Sequence, residues 1–178
     1  MELEKIIELA RKSHAGQQDK AGRDYFAAHL TPIAAGAEVF CEQAVKAAWL
    51  HDIIEDTDLS AEDLLSKGVD QEVVNAVVSV TRREDETYAE LIGRACANEI
   101  GRLVKLVDNA WNITSSPALA AINPAEAQSM LENRYYPARE RLLAAAGLSL
   151  ESPVLVEMQT RLDEHHRGTG ADVSATVP

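Results

Sequence analysis

The hexapeptide His51-Asp52-Ile53-Ile54-Glu55-Asp56 places one imidazole and three carboxylates directly after the apolar run Ala44 to Leu50. Continued at helical period, Val45, Ala48, Trp49, Asp52 and Asp56 fall on one core-facing stripe. A carboxylate aimed at a core is costly unless it is paired, hydrogen-bonded or bound to a metal. Whatever this chain folds into must therefore supply compensating charge at that point. A divalent cation is the simplest candidate, and a buried hydrogen-bonded network without metal is the alternative.

The same anomaly recurs downstream. In Leu103 to Asn112, positions 104, 107, 108 and 111 share a helical face whose charged member is Asp108, and Asn112 follows one turn later. Two helices that each turn a carboxylate inward are expected to bring those groups together. His29 lies just before a helix that Thr31 would cap and Pro32 would open, a fixed position suited to a ligand. His29, His51, Asp52 and Asp108 make an N2O2 set fitted to Mn²⁺, Fe²⁺, Zn²⁺ or Mg²⁺ rather than a closed thiolate site.

The remaining signals describe a helical domain. Threonine and glutamate at 87 and 90 form a capping box, Ser60 and Asp70 are further N-cap candidates, and Gly68 and Gly147 are stops. Val73, Val74, Val77 and Val78 recur at helical spacing and are expected to face inward. Ser115 to Pro124 reads as a polar, proline-marked connection, Pro124 to Ala146 as a long helix, and Pro153 to about His166 as the last one. The expected architecture is all-α: one domain over 1–167, then a small, polar, disordered tail over 168–178.

A formal net charge of −12 argues against nucleic acid and anionic membrane as partners. No stretch approaches the ~20 apolar residues of a membrane span. Cys41 and Cys96 lack metal or redox spacing, and the start of the chain lacks the pattern of an export signal, so a cytoplasmic setting is expected. Oligomeric state, homo-oligomers included, is left open.

From His14 to Asn112 the motifs resemble, in order, those of the HD-domain metal-dependent phosphohydrolases, and within them the small alarmone hydrolases related to the hydrolase half of Rel/Spo proteins. His14-Ala15-Gly16-Gln17 and Gly22 through Tyr25 are similar to the family's substrate loop, ending in a ligand histidine, here His29. His51 through Thr57 is similar to its HD-plus-ED motif, Val80-Thr81-Arg82 to its mid-domain motif, and Lys105 through Asn112 to its fourth-ligand motif. The resemblance implies an HD-type helical bundle with Mn²⁺ as cofactor and hydrolysis of a nucleotide 3′-pyrophosphate. It implies His29, His51, Asp52 and Asp108 as metal ligands and Glu55 and Asp56 as the groups that position or deprotonate water. Lys20, Tyr25, Arg82, Lys105 and Asn112 would then contact the substrate.

Departures from the pattern cluster away from the ligands. Asp19, with Lys20 beside it, stands where relatives carry an arginine against the guanine base. Asp24 and Leu30 replace prolines, Trp111 a histidine, and Thr114 a basic residue. Such a pattern points to a changed base preference, so the expected substrate is (p)ppGpp or, with the base preference altered, its adenosine analogue (p)ppApp. Two competing functions are an HD phosphohydrolase acting on a nucleoside 5′-phosphate or dinucleotide phosphate, and a non-catalytic nucleotide-binding regulator.

Overall fold

The chain folds as helix upon helix because capping residues, apolar stripes and glycine stops follow one another in the order the sequence sets out. The computed structural model describes residues 1–171, and among these no strand forms, an isolated bridge between Gln18 and Asp24 aside. Helix α1 (Leu3–Ser13) buries Ile6 and Ala10 and leads through a loop to a π-helical turn, Phe26–Leu30, which runs into α2 (Thr31–Ala37). Then come α3 (Glu42–Leu50), α4 (Ile53–Asp56), α5 (Ala61–Ser66) and α6 (Gln71–Val80). Helices α7 (Tyr88–Ala97), α8 (Glu99–Ala120) and α9 (Pro124–Met130) lead to a second π-helical turn, Leu131–Tyr135. Helices α10 (Tyr136–Ala146) and α11 (Pro153–Ala171) follow. Capping boxes open α5 at Ser60 and α7 at Thr87, and Gly147, at φ 66°, ends α10 in the left-handed conformation.

Helix α8 is the axis of the domain and packs against α2, α3, α6, α7, α10 and α11. A Cβ on Gly36 of α2 would lie 2.7 Å from Val107 Cγ1, so α2 approaches α8 more closely than any larger residue permits. This close approach, with the end of α3 beside it, sets three candidate ligands from distant parts of the sequence around one point.

Several expectations are corrected. Helix α3 stops at Leu50, one residue before the hexapeptide, and Asp52 (φ −101°, ψ 0°) opens the separate short helix α4. The stripe that carried Asp52 and Asp56 as one surface is thus broken at the motif. Helix α8 continues through Ser115, Ser116 and Pro117 to Ala120. Those residues read as a connection because two are polar and one is proline, but Ser115 and Ser116 line a cavity. The 124–146 helix is interrupted by its π turn, which precedes Pro137, a residue with no N–H for the regular ladder. Asp70 precedes α6, but its carboxylate pairs with the Met1 ammonium at 2.9 Å instead of capping the helix, and Val78 is exposed. Helix α11 runs past Gly168 to Ala171, and the rest of the expected tail, 172–178, lies outside the described residues.

Candidate metal centre

His51 is fixed by the helix it follows. Its Nδ1 lies 2.7 Å from the Ala48 carbonyl, an oxygen that can only accept, so Nδ1 carries a hydrogen. Nε2 then faces the cluster, buried and without a hydrogen-bond partner in good geometry, though 2.9 Å from Asp52 Oδ2. A ring lone pair and a carboxylate oxygen this close repel unless a proton or a cation stands with them.

His29 arrives by a different route. The π turn is closed by the Thr31 N–H and hydroxyl, both on the Phe26 carbonyl, the hydroxyl at 2.8 Å. Pro32 cannot donate to the carbonyl four residues back, that of Ala28, and the buried indole N–H of Trp111 does so instead at 2.9 Å. Held in this way, His29 Nε2 lies 3.3 Å from Asp52 Oδ2 and 3.7 Å from Asp108 Oδ1. The ring of Tyr25 stands 4.8 Å from that of His29, and its hydroxyl donates to Asp52 Oδ2.

Asp108 is buried on α8 and held from both sides along its own helix. Lys105 Nζ lies 2.7 Å from Oδ2, and Asn112 Nδ2 donates to Oδ1 at 2.6 Å. Burial opposes ionisation of Asp108, but the Lys105 charge, followed by those of the histidines, outweighs it and lowers the pKa. Burial likewise works against Asp52, and His51 overcomes it, holding Asp52 well below the ordinary carboxylate range. For His51, burial disfavours the charged ring, yet the Asp52 charge prevails and raises its pKa to about 9. Burial and then Asp52 push the Tyr25 phenol up, keeping it a donor.

Two carboxylates are therefore ionised inside the protein and demand positive charge between them. Ligand atoms of His29, His51 and Asp108 all lie within 4.8 Å of one another, and Asp52 Oδ2 adjoins both imidazoles. With an unpartnered imidazole nitrogen and a mixed nitrogen–oxygen donor set, these residues fit a divalent cation.

The other expected site residues divide. Tyr25, Lys105 and Asn112 touch the cluster directly. Glu55 and Asp56 are exposed on α4 beyond it: Glu55 Oε2 accepts the Arg82 backbone N–H at 2.9 Å, and Asp56 Oδ2 accepts from Gln17 Nε2 at 2.8 Å. Arg82 thus meets the site through its backbone, while its guanidinium Nε lies 3.4 Å from the Glu86 carbonyl. Lys20 stands at the edge of a cavity of about 260 Å³ that adjoins the cluster, its Nζ 2.8 Å from Glu126.

Four participants were not picked out from the sequence as site residues. Gln17 holds Asp56 while its own carbonyl accepts from buried His14 at 2.6 Å, which fixes the amide orientation. Both belong to the His14–Gln17 motif, and that was the available signal. Trp111, read as core, also anchors the π turn, and Tyr135 lines the cavity from beyond the motif-bearing region.

No family model matches the chain, and no curated protein sequence does. Among solved structures, one that matches is a metazoan ortholog of SpoT that hydrolyses ppGpp and plays a role in starvation responses. It superposes with a TM-score of 0.61 over 94% of each chain, at 20% sequence identity. The chain has the same HD-type helical fold. This agrees with the all-α architecture expected from the sequence, and the His–Asp cluster at the heart of the fold is of the kind that holds a divalent metal. Among the described residues, no helix is long and apolar enough to cross a membrane.

Proposed function

We propose that this chain is a Mn²⁺-dependent hydrolase that removes the 3′-pyrophosphate from alarmone nucleotides, (p)ppGpp or (p)ppApp. The observation that carries the reading is the convergence of His29, His51, Asp52 and Asp108 beside a cavity of nucleoside dimensions. The likeness to a fold that hydrolyses ppGpp supports it. In the reaction one water is consumed, the bond between phosphorus and the 3′ oxygen breaks, and a 3′-hydroxyl and pyrophosphate result.

His29, His51, Asp52 and Asp108 would hold the cation, which when bound would supply positive charge against the phosphoryl oxygens. Tyr25 steadies Asp52. Lys105 and Asn112 steady Asp108, and the Asn112 side-chain oxygen remains available to accept from a substrate hydroxyl. Glu55 and Asp56 position or deprotonate the attacking water, their carboxylates held by the Arg82 N–H and the Gln17 amide. Lys105 adds a nearby cation, and Lys20 and Arg82 border the approach. We place the site in a cytoplasmic enzyme with a small-molecule nucleotide as substrate.

Purified protein assayed against guanosine and adenosine 3′-pyrophosphates, with and without Mn²⁺, tests this reading. Pyrophosphate should appear when metal is supplied, and Asp52→Ala should lose metal binding and turnover together while remaining folded. A nucleotide panel that yields no 3′-hydroxyl product, or yields cleavage at the 5′ end instead, would sink the proposal.

A further inference from the structure

The metal cluster and its cavity leave Arg139 without a role. It reaches from α10 toward α11, half-buried, and among the described residues no carboxylate pairs with it. Its Nε is buried and makes no hydrogen bond, and its Nη2 donates to Gln159 Oε1 at a long 3.4 Å. Burial pulls its pKa below the ordinary arginine value, since no anion offsets the hydration it has lost. Gln159 cannot turn to serve it better, because its Nε2 donates to Thr114 Oγ1 and to Asp163 Oδ1, both at 2.8 Å. A guanidinium so placed calls for an anion.

Arg139, Gln159 and Asp163 line one cavity of about 310 Å³ together with Leu150, Leu155 and Val156. Leu150 and Val156 are large and apolar, yet each is 54% exposed. This cavity shares no lining residue with the one beside the metal cluster, so a nucleotide held there does not fill it. A simple anion drawn to Arg139 would meet the Asp163 charge, and a simple cation drawn to Asp163 would meet Arg139. A zwitterion satisfies both. Arg139 and Asp163 flank a single carboxamide, that of Gln159, so the two charges must lie close together, as they do in an α-amino acid. The volume falls in the range of small-molecule sites, and the aliphatic wall suits an apolar side chain. We propose that this cleft binds a free amino acid with an aliphatic side chain, its carboxylate on Arg139, its ammonium on Asp163 and its side chain against Leu150, Leu155 and Val156. The inference stands apart from the 3′-pyrophosphohydrolase reading and does not depend on it.

The test is calorimetric titration of the full chain with free leucine, with isocaproate, which lacks the ammonium, and with isoamylamine, which lacks the carboxylate. Leucine should bind saturably, and each truncated probe about tenfold more weakly or less, the loss of one charge-assisted hydrogen bond. Arg139→Gln should weaken leucine about tenfold while leaving isoamylamine unchanged, and Asp163→Asn should do the same while leaving isocaproate unchanged. Val156→Asp, at an exposed position where folding is not at stake, should also weaken leucine by removing apolar wall and adding a charge. The inference is overturned if leucine shows no saturable binding at millimolar concentration, or if the three probes bind alike. It is equally overturned if Arg139→Gln, or Val156→Asp should the first variant not fold, leaves leucine affinity unmoved.

Discussion

The two π-helical turns share a construction and differ in what they do with it. Each is closed by an N–H reaching five residues back, Thr31 to Phe26 and Tyr136 to Leu131, and each is followed by proline, Pro32 or Pro137. Each is also tethered to α8 by a side chain next to or near Asp108. Trp111 donates to the Ala28 carbonyl, and Asn109 donates to the Tyr135 carbonyl at 2.9 Å. In the first turn, Phe26, Ala28 and Leu30 are buried and His29 is aimed at two carboxylates; the second turn buries none of its residues. The proline-linked turn is therefore a backbone device anchored on α8 in both places. Only in the first does it set a histidine against two ionised carboxylates.

The largest effect that would break this comparison comes from cutting the two tethers separately. Trp111→Phe leaves the Ala28 carbonyl without its donor, and Asn109→Ala does the same for Tyr135. Each should cost about 1–3 kcal/mol in urea unfolding, as buried groups left unpaired do. Only the first should also loosen a ligand, weakening Mn²⁺ affinity by about 10- to 100-fold in calorimetric titration. Trp111→His, which restores a ring N–H, should recover part of that loss. Equal metal affinities in the Trp111→Phe and Asn109→Ala proteins would mean that the first turn is no more functional than the second.

The sequence made the fold legible where local chemistry and burial agreed. Thr87 with Glu90, and the valines of α6 apart from Val78, behave as their spacing dictates, because capping and burial there serve structure alone. It misled where polar residues line the cavity. Ser115 and Ser116 resemble a loop, yet they continue α8 because the side facing them is a cavity rather than packed core. The candidate ligands were recognisable as charges in apolar surroundings. The break between Leu50 and Ile53 was not, because it accompanies a local bond of the His51 ring to the Ala48 carbonyl three residues back that apolar spacing does not announce. Neither π turn was foreseen. A proline announces that the ladder must fail, but does not say whether the chain will kink, stop or widen.

A second difference should appear in pH. His51 is raised to about 9 from 6.5, so at neutral pH the metal-free cluster holds a proton that an incoming cation must displace. Apparent Mn²⁺ affinity should therefore climb by roughly tenfold per pH unit as pH rises toward 9, and level off above it. Calorimetry in buffers of different ionisation enthalpy should find close to one proton released per ion at pH 7.5. The Asn109→Ala protein should keep that slope, because the second turn contributes no titrating group to the cluster. A flat profile between pH 7 and 9 would show that this ring is not where metal and proton compete.

The smallest effect separates the prolines themselves. Pro32→Ala and Pro137→Ala each restore an N–H and free the unfolded chain, which should cost about 0.4–1 kcal/mol in either case. At the second turn little else should follow, since Asn133, whose carbonyl faces Pro137, is exposed and water can serve it. At the first, the new N–H at position 32 competes with Trp111 for the Ala28 carbonyl and lets the π turn relax toward regular helix. His29, the next residue, would then rotate away from Asp52 and Asp108, and Mn²⁺ affinity should fall by a few-fold, about the loss of one modest hydrogen bond. The measurement is a pair of metal titrations beside a pair of unfolding curves. Matched stabilities with unmatched affinities would locate the functional asymmetry in the backbone of the first turn, and matched affinities would return it to the side chains alone.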